Sequence, residues 1–359
     1  MRQEKSKKVV ALVGAGRWGR HLARNFSQLG VLHTICDTNP SLLARFQQKY
    51  PEVNMATGFK QVLDHPLLSR IVIAAPARQH YQLAKEALLA GKDVYVEKPL
   101  CLSSQEGEEL IHIAEKGGQI LMVGHLLHYH PYVRRLQEIV WSGKLGKLRY
   151  MVSHRLNLGA IREEENVLWD FAPHDISLIL SLCGNNLPVQ VRCTGAAYAL
   201  PNVADTTLTT LRFEGDIRAH IYVSWLHPFK EQKLVVVGSS AMAVFDDTKP
   251  WEEKLLLYPY RLNRSQGMIP VIDKQEPEKI SVPEEEPLRC ECLHFLHSCD
   301  ERAAPRTDGR EGLRVLKVLQ AAQASLHVDG EGKNPAEISP STFKNWHAGN
   351  VEAPLVGRS

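Results

Sequence analysis

The sequence predicts an α/β protein, with an N-terminal doubly wound parallel sheet and a C-terminal α+β domain built on a large, open, mostly antiparallel sheet. Two patterns predict this fold class. In the first third of the chain, short apolar runs alternate with segments of helical periodicity, which is typical of βαβ units. After about Gly124, longer strands follow one another, and alternation such as that of residues 206–213 (TTLTTLRF) indicates a sheet with one buried face.

The N-terminal pattern predicts five strands and four helices. The strands cover residues 9–13, 31–36, 71–75, 94–96 and 120–123. The helices cover residues 17–29, 41–50, 79–90 and 103–116. In a doubly wound sheet the helices lie on both faces, and ligands bind beyond the carboxyl ends of the strands.

The C-terminal pattern predicts a helix that opens at His130-Pro131 and then a series of long strands. The strands cover residues 147–158, 189–199, 205–213, 217–225, 232–238 and 242–245. We expect helices at residues 172–183, 287–301 and 309–326 to cover the buried face of this sheet. Its other face carries exposed aliphatic residues and is a candidate interface for a homodimer or homotetramer. The Pro-rich, charged residues 250–286 predict irregular structure.

The size and composition of the chain narrow its class. Its 359 residues suffice for about two domains, which we place at residues 1–124 and 125–333, followed by an extended or disordered tail at 334–359. The formal net charge of +3 predicts no nucleic-acid partner, and no segment approaches the ~20 apolar residues of a membrane span. The seven scattered cysteines and the absence of a signal-peptide pattern predict a reduced, cytoplasmic protein that acts on small molecules.

A glycine-rich turn follows the first predicted strand and opens the first helix. Its sequence, GAGRWG, has the Gly-x-Gly-x-x-Gly spacing of a dinucleotide-binding Rossmann fold. Gly14 permits the tight turn, Gly16 lets the backbone approach a pyrophosphate, and Gly19 lets helix and strand pack closely. The N–H groups of the helix start would bind the phosphates. We include Arg17 and Trp18 among the predicted cofactor-binding residues, although an exposed Arg17 without such a contact is equally compatible with the pattern.

An acidic residue ends the second predicted strand at the position that contacts ribose in such folds. Asp37 lies about 20 residues after the glycine turn, where a carboxylate binds ribose hydroxyls. Its charge would repel a 2′-phosphate, and the adjacent Thr38 and Asn39 provide no arginine to receive one. The sequence therefore predicts NAD rather than NADP as the cofactor.

The tripeptide Glu97-Lys98-Pro99 closes the fourth predicted strand. Lys98 therefore lies at a carboxyl end, where its ammonium could hydrogen-bond a substrate hydroxyl and stabilise the charge on oxygen as hydride leaves carbon. A surface lysine in a β–α loop explains the spacing equally well. The remaining predicted cofactor-binding residues are Ala75, Pro76, His80 and Glu97.

Asp170 and His174 lie four residues apart, near the predicted start of a helix that contains Pro173 in its first turn. The carboxylate could orient the imidazole, and histidine suits a general base because it titrates near neutrality. A helix-capping aspartate and a packed histidine are the alternative. We interpret Asp175 as an acidic residue that the helix dipole favours.

Two clusters of histidine and cysteine suggest metal sites, but the sequence predicts neither to be one. One comprises Cys290, Cys292, His294, His297 and Cys299. The spacing matches no usual zinc pattern, and Cys292, Phe295 and Cys299 fall on one apolar helix face, so buried thiols are expected. The other comprises His125, His128 and His130, which lack an acidic or cysteine partner in the sequence. Tyr129, within it, is a predicted substrate-binding residue that could stack on a sugar or on nicotinamide.

Taken in order, the motifs resemble the glucose–fructose oxidoreductase/inositol dehydrogenase (Gfo/Idh/MocA) family. The elements that carry the resemblance are the glycine turn, Glu97-Lys98-Pro99, Asp170-x-x-x-His174-Asp175 and the late sequence TDGREG at residues 307–312. The resemblance implies a Rossmann domain, a C-terminal domain with an open sheet, NAD(P), carbohydrate-like substrates and oligomers formed through that sheet. It also implies that Lys98, Asp170 and His174 are the catalytic residues.

Within the family, three segments resemble most closely the bacterial nucleotide-sugar dehydrogenases of surface polysaccharide or lipopolysaccharide synthesis. These segments are residues 155–162, 169–174 and 224–233. This resemblance implies oxidation of a UDP-N-acetylhexosamine or its uronate. Arg155, Asn157 and Arg162 join Lys98 and His174 as predicted substrate-binding residues. Arginine matches oxyanions in shape, but solubility charges at Arg155, Arg162 and Lys230 are an equal alternative.

The leading hypothesis is an NAD-dependent dehydrogenase that oxidises a secondary hydroxyl of a sugar. Two alternatives remain open. The same fold could serve a regulator that senses NAD or a sugar without turnover, although such a protein would be expected to lack the lysine or the histidine. It could also serve a glycosidase that oxidises its substrate transiently with tightly held NAD.

Overall fold

The computed structural model describes residues 9–263 and 269–337, so most of the predicted tail, residues 338–359, lies outside the described part of the chain. The described residues form two compact units. The first unit comprises residues 9–130 and 285–316, and the second comprises residues 131–263, 269–284 and 317–337. The first unit is therefore built from two separate stretches of sequence, and the domain boundaries placed at residues 124 and 333 stay a prediction.

The first unit contains a six-stranded parallel sheet. Its strands are β1 (Val10–Val13), β2 (Leu32–Cys36), β3 (Asn54–Ala56), β4 (Arg70–Ile73), β5 (Asp93–Glu97) and β6 (Leu121–Gly124). The strand order is β3-β2-β1-β4-β5-β6, which is the doubly wound order with its switch point between β1 and β4. The predicted Rossmann architecture is confirmed. The sequence pattern does not predict the short β3 or the five-residue helix at Phe59–Leu63, because such short elements carry too little periodicity.

Five helices connect these strands. They are α1 (Gly19–Gln28), α2 (Pro40–Lys49), α3 (Phe59–Leu63), α4 (Ala77–Leu89) and α5 (Ser104–Gly117), and a 3-10 turn at Leu126–Tyr129 follows β6. The helix starts are locally encoded. Asn39 caps α2 by accepting a hydrogen bond from the Ser41 N–H, and Ser103 with Glu106 forms a capping box at α5. These caps fix where each helix leaves the carboxyl edge of the sheet.

The second unit contains a large, mostly antiparallel sheet. The strands are β7 (Leu148–Leu158), β8 (Gln190–Ala196), β9 (Thr206–Arg212), β10 (Arg218–Ser224), β11 (Leu226–Gly238), β12 (Ala241–Asp246), β13 (Leu255–Asn263), β14 (Val271–Lys274) and β15 (Glu278–Lys279). Their order is β14-β13-β12-β11-β7-β10-β9-β8, with β15 paired to β13, and among the described strands of this sheet only β10 and β7 run parallel. The predicted open, mostly antiparallel sheet is confirmed.

One face of this sheet is packed and the other is open. In β10, Ala219, Ile221 and Val223 are fully buried and alternate with partly exposed residues. The helices α6 (Pro131–Trp141) and α7 (Val167–Leu182) lie against the buried face. The alternation of apolar and polar residues in the sequence therefore corresponds to the buried and the open face of this sheet.

Two expectations about the C-terminal half are wrong. The stretch expected to be irregular contains β13, β14 and β15 in its described parts, residues 250–263 and 269–286. Its Pro and charged residues obscure the alternation that buries Leu255 and Leu257. Helix α8 (Pro287–Glu301) does not cover the second sheet. Instead Cys292, Phe295 and Cys299 are buried in the core of the first unit, together with residues of β1 and α1. The predicted apolar face of α8 is present, but the residues of β1 and α1 that it packs against lie far away in the sequence.

The last helix, α9 (Gly309–Leu326), has the predicted bounds, and the division between the two units falls within it. Across residues 9–263 and 269–337, no helix has both the length and the apolar character needed to cross a membrane.

Candidate functional site

The glycine turn after β1 is as tight as its sequence predicts. Gly14 has φ +102°, and a Cβ there would lie 2.5 Å from the Ala74 carbonyl oxygen. A Cβ on Gly19 would lie 2.1 Å from the Gly14 carbonyl oxygen, so α1 starts in contact with the turn. A Cβ on Gly16 would meet no atom within 4 Å. The space beside Gly16 is therefore open, as the approach of a pyrophosphate requires.

Asp37 is fixed directly beside this turn. One carboxylate oxygen accepts the Ala15 N–H at 2.7 Å and the other accepts the Asn39 N–H at 2.8 Å. Each oxygen keeps a lone pair for a further donor. The geometry thus places an oriented, partly exposed carboxylate next to the phosphate-binding turn, and a dinucleotide ribose fits this arrangement.

A cationic cleft adjoins the same turn and was missed by the sequence analysis. Its volume is about 310 Å³, and it is lined by Ala15, Gly16, Arg17, Arg20, Leu42, Arg45, Phe46, Lys49 and Tyr50. Among the described residues, no salt bridge neutralises its four cations. Their unneutralised charge favours a diphosphate at the turn. The signal was present in the sequence as Arg17 with Arg20 and Arg45 with Lys49, spaced at about one helical turn.

The carboxyl end of β5 presents Glu97 and Lys98. Lys98 is half-buried, and the peptide bond between Lys98 and Pro99 is cis. The Glu97 carboxyl accepts the Tyr95 hydroxyl at 2.8 Å and occupies space left by Gly124 on the neighbouring strand, where a Cβ would come within 2.9 Å of it. Burial raises the pKa of Glu97 to about 7, although Tyr95, Trp18 and Lys98 act in the opposite direction.

His80 links two loops at this edge of the sheet. Its Nδ1 lies 2.7 Å from the Pro99 carbonyl oxygen and its Nε2 lies 2.8 Å from the Ala75 carbonyl oxygen. Burial lowers the pKa of His80, while the Pro99 and Ala75 carbonyls act in the opposite direction. His80 therefore connects the loop after β4 to the turn that carries Lys98.

Tyr129 and the neighbouring histidines are interior residues of the first unit. Tyr129 is 3% exposed, its hydroxyl lies 2.8 Å from the Thr307 Oγ1, and its ring contacts His294. Such a ring has no open face to stack on a substrate, so its contacts assign it a packing role. His125 Nδ1 lies 2.5 Å from Glu311 Oε2. Glu311 is the acidic partner that the sequence pattern around His125 did not reveal.

Asp170 lies in the first turn of α7, as predicted, and His174 lies one turn further on, but Pro173 is not in the first turn. The helix begins at Val167, capped by Asn166, whose side chain accepts the Trp169 N–H at 3.2 Å, and Pro173 is its seventh residue. The helix starts five residues before the predicted residue 172, because the apolar run already begins at residue 167. The i, i+4 spacing nevertheless places the two side chains on one face of the helix.

Two donors hold the Asp170 carboxylate. The Trp225 indole N–H donates to Oδ2 at 3.1 Å, and the Arg162 guanidinium lies 3.1 Å from Oδ1. Asp170 is buried, whereas His174 is only half-buried. The arrangement fixes a carboxylate on the face of α7 that carries a more accessible imidazole.

Asp175 has a different role from the one expected. It lies in the middle of α7, so the dipole of the helix start does not explain it. The Ser153 hydroxyl donates to it at 2.6 Å, and Arg155 donates to both of its oxygens at 2.8 and 3.2 Å. Asp175 therefore joins α7 to β7 through a buried ion pair.

The predicted substrate-binding residues of the second unit differ in their contacts. Arg155 is bound by Asp175 and is 12% exposed in its side chain. Arg162 contacts Glu165 and Asp170 but keeps 44% of its side chain exposed. Asn157 has a buried Oδ1 with no hydrogen-bond partner among the described residues. Lys230 is exposed on β11.

We predict that two alanine substitutions in the glycine turn will separate folding from cofactor binding. Gly19→Ala forces a Cβ against the Gly14 carbonyl and should lower Tm by about 5–10 °C. Gly16→Ala meets no atom of the protein, so Tm should stay within about 2 °C while the Kd for NAD rises tenfold or more. Thermal unfolding and calorimetric titration check both. Unchanged NAD affinity in Gly16→Ala would contradict the assignment of the turn.

Comparison with known proteins places this geometry in a family. The chain matches the family model described as "Oxidoreductase family, NAD-binding Rossmann fold" over residues 8–125 and the GFO/IDH/MocA C-terminal domain over residues 133–244. It is 25% identical over 331 residues to the uncharacterized oxidoreductase YrbE of Bacillus subtilis, covering 89% of this chain and 94% of that protein.

Two proteins of known structure share the fold. The UDP-N-acetylglucosamine 3-dehydrogenase of Acidithiobacillus ferrooxidans is 24% identical over 331 residues, covering 89% of this chain and 97% of that enzyme. Its solved structure has a TM-score of 0.78 at 23% identity, over 88% of this chain and 96% of that chain. A levoglucosan dehydrogenase in complex with NADH has a TM-score of 0.79 at 16% identity, over 92% and 100% of the two chains. The protein belongs to the Gfo/Idh/MocA family and is an NAD(P)-dependent oxidoreductase with an NAD-binding Rossmann domain.

Proposed function

We propose that this oxidoreductase uses NAD to oxidise a secondary hydroxyl of a nucleotide-activated sugar, of the UDP-N-acetylhexosamine type or its uronate, in the synthesis of a surface polysaccharide or lipopolysaccharide. The observation that carries the proposal is the Asp170 carboxylate, held by Trp225 and Arg162 one helical turn before His174. The relative named as a UDP-N-acetylglucosamine 3-dehydrogenase, which aligns over nearly its whole length, supports the substrate class.

In this proposal His174 is the general base. Asp170 precedes it by one turn on the same face of α7, and its fixed negative charge stabilises the imidazolium that forms when His174 takes the hydroxyl proton. Because Trp225 and Arg162 already hold Asp170, little reorganisation accompanies the change of charge.

Lys98 is the electrophilic residue in this proposal. NAD, when bound, supplies the acceptor for the hydride that leaves the sugar carbon. Lys98 donates a hydrogen bond to the reacting hydroxyl and stabilises the negative charge that develops on its oxygen. The buried Glu97 beside it and His80, bonded to Pro99, hold the turn that carries Lys98.

Asn157 and Arg162 are proposed to bind the polar part of the substrate. The Oδ1 of Asn157 is buried and has no hydrogen-bond partner among residues 9–263 and 269–337, so a sugar hydroxyl would satisfy it. Arg162 keeps an exposed guanidinium, which matches a diphosphate or carboxylate. We propose a supporting role for Arg155, because Asp175 already binds its guanidinium at two oxygens.

Substitution of the two reacting groups tests the proposal. In Lys98→Met and His174→Ala, kcat should fall by roughly 10²–10⁴-fold, the usual contribution of a positioned acid, base or charge-stabilising group. The Kd for NAD should stay within about twofold of the wild-type value. The matched controls are Lys116→Met and His112→Ala, which replace exposed residues of α5. Wild-type turnover in both active-site variants would refute the assignment.

The substrate is tested by incubating the wild-type protein with NAD and a panel of UDP-sugars, following NADH absorbance and product mass. The proposal expects NADH and a product two mass units lighter than one of these sugars. Release of free sugar without net NADH would identify a glycosidase instead. Saturable binding of a sugar with no product would identify a regulator.

We also propose that the open face of the second sheet forms a homo-oligomer. Tyr150 on β7 and Leu208 on β9 are 43% and 47% exposed, and both belong to the face opposite α7. The combined variant Tyr150→Glu/Leu208→Glu should lower the molar mass measured by light scattering towards that of a monomer. Leu89→Glu, which charges an exposed residue of α4, should leave it unchanged. A monomeric wild-type protein would contradict the proposal.

A further inference from the structure

Two glutamates are buried in the first unit behind the turn that carries Lys98. Glu97 is the last residue of β5 and is 8% exposed, and Glu291 lies in the second turn of α8 and is fully buried. The proposed reaction uses neither carboxyl directly. Lys and Glu side chains are almost never fully buried without a partner, so this pair requires an explanation.

The Tyr95 hydroxyl distinguishes the two carboxyls. It donates its single proton to Glu97 Oε1 at 2.8 Å. It also faces Glu291, and the charges of both carboxyls raise the pKa of Tyr95. No donor lies in hydrogen-bonding geometry to either oxygen of Glu291 among the described residues, although the nearby Tyr95 hydroxyl lowers its pKa. Burial and the charge of Glu97 outweigh that hydroxyl and raise the pKa of Glu291 well above its usual range, so Glu291 is the neutral acid of the pair.

Among the ionisable groups around the two glutamates, Glu97 is the one that titrates near pH 7. Burial raises the pKa of Tyr95 on β5, Tyr129 after β6 and Cys292 on α8, so these three groups are neutral at pH 7. Lys98 is the cation that acts on Glu97, and the Trp18 indole lowers its pKa as well. Burial outweighs both and brings the pKa of Glu97 to about 7, while burial and the charge of Glu97 raise that of Glu291 well above its usual range.

The position of Glu97 connects this carboxyl to the cofactor. It ends β5 at the carboxyl edge of the sheet, where doubly wound folds bind the dinucleotide, and it directly precedes Lys98. Oxidised nicotinamide carries a positive charge that the reduced ring lacks. A nearby positive charge favours the ionised form of a carboxyl, and its loss favours the protonated form.

We propose that the protonation state of Glu97 changes with the redox state of the bound dinucleotide, while Glu291 keeps its proton throughout. Glu97 releases a proton to solvent when the oxidised cofactor is bound and takes one up when the ring is reduced. The proton balance of the complete reaction is unchanged. The alcohol loses a hydride to the ring and a proton to the base, and Glu97 returns its proton to solvent when the reduced cofactor leaves. The inference rests on the proposed position of the nicotinamide beside Lys98.

Counting protons on cofactor binding tests the inference. NAD and NADH are each titrated by calorimetry in phosphate and in Tris, whose ionisation enthalpies differ, at pH 7 and pH 9. At pH 7 the wild-type protein should take up roughly 0.3–0.5 proton more with NADH than with NAD, as a pKa difference of about one unit around 7 requires. At pH 9, where Glu97 is ionised in both complexes, the difference should fall below about 0.1 proton.

Three glutamine variants assign the proton. Glu97→Gln should abolish the difference between NADH and NAD at pH 7. Glu291→Gln should keep it, because the amide replaces a carboxyl that stays neutral, and Glu301→Gln is the exposed control on the same helix. Loss of the difference in Glu291→Gln, or its survival in Glu97→Gln, would overturn the assignment.

A measurement without cofactor provides a second readout. The folded protein favours neutral Glu97, since its pKa lies near 7 against an ordinary value of 4.5. The stability that Glu97 contributes is therefore complete below about pH 4.5 and is lost as the pH rises through 7. The Tm of the wild-type protein relative to Glu97→Gln should fall between pH 5 and pH 8. A constant difference in Tm would contradict the inference.

A third measurement covers the case in which Glu97→Gln does not fold. Wild-type protein labelled with ¹³C at the glutamate carboxyls should show one resonance that titrates near pH 7 and moves to lower pH with NAD than with NADH. No such resonance would overturn the inference. Formation of NADH from a UDP-sugar without a proton difference would refute the inference alone, whereas a proton difference without any NADH formation would refute the proposed function alone.

Discussion

The parallel pairing of β1, β4, β5 and β6 is the constraint on which the rest of the first unit depends. In register, Val13 pairs with Ile73, Ile73 with Val96, and Glu97 with Gly124. Because parallel strands bring their carboxyl ends to one edge, the glycine turn, the loop after β4 and the Lys98 turn all leave the sheet side by side. A ligand at this edge would meet residues from these three stretches of sequence. This arrangement requires close backbone contact at the glycine turn, which Gly14 and Gly19 allow and a larger residue would not.

Buried carboxyls are the second recurring feature, and each is accommodated in a different way. Asp170 is held by an indole and a guanidinium, and Asp175 by a hydroxyl and a guanidinium. These donors compensate the two carboxylates for the water that they lose on burial. Burial instead dominates at Glu97, whose pKa rises to about 7 although Tyr95, Trp18 and Lys98 act in the opposite direction, and at Glu291, whose pKa rises well above its usual range. The two glutamates therefore differ from the two aspartates in lacking a guanidinium partner among the described residues.

The sequence predicted much of this protein, and its errors have two kinds of cause. Five of the six strands of the first sheet, the bounds of α8 and α9, and the roles of the three glycines follow from local periodicity and turn chemistry. Some errors are local, such as the short β3, and the others arise where a residue's partner is distant along the chain. The apolar face of α8 was identified correctly but was assigned to the wrong sheet. Tyr129 was treated as a stacking residue because Thr307, 178 residues away, could not be recognised as its partner.

The sequence by itself determined the fold class, the dinucleotide-binding turn and the residue types available for hydride transfer, because spacing and residue chemistry are local properties. Tertiary structure alone decided which polar groups are satisfied. Asp170 has its indole from Trp225, 55 residues away, and Glu97 faces Glu291, which lies on a helix far along the chain. Burial produces the raised pKa of Glu97 and that of Glu291. Both depend on packing between distant segments, which no local pattern encodes.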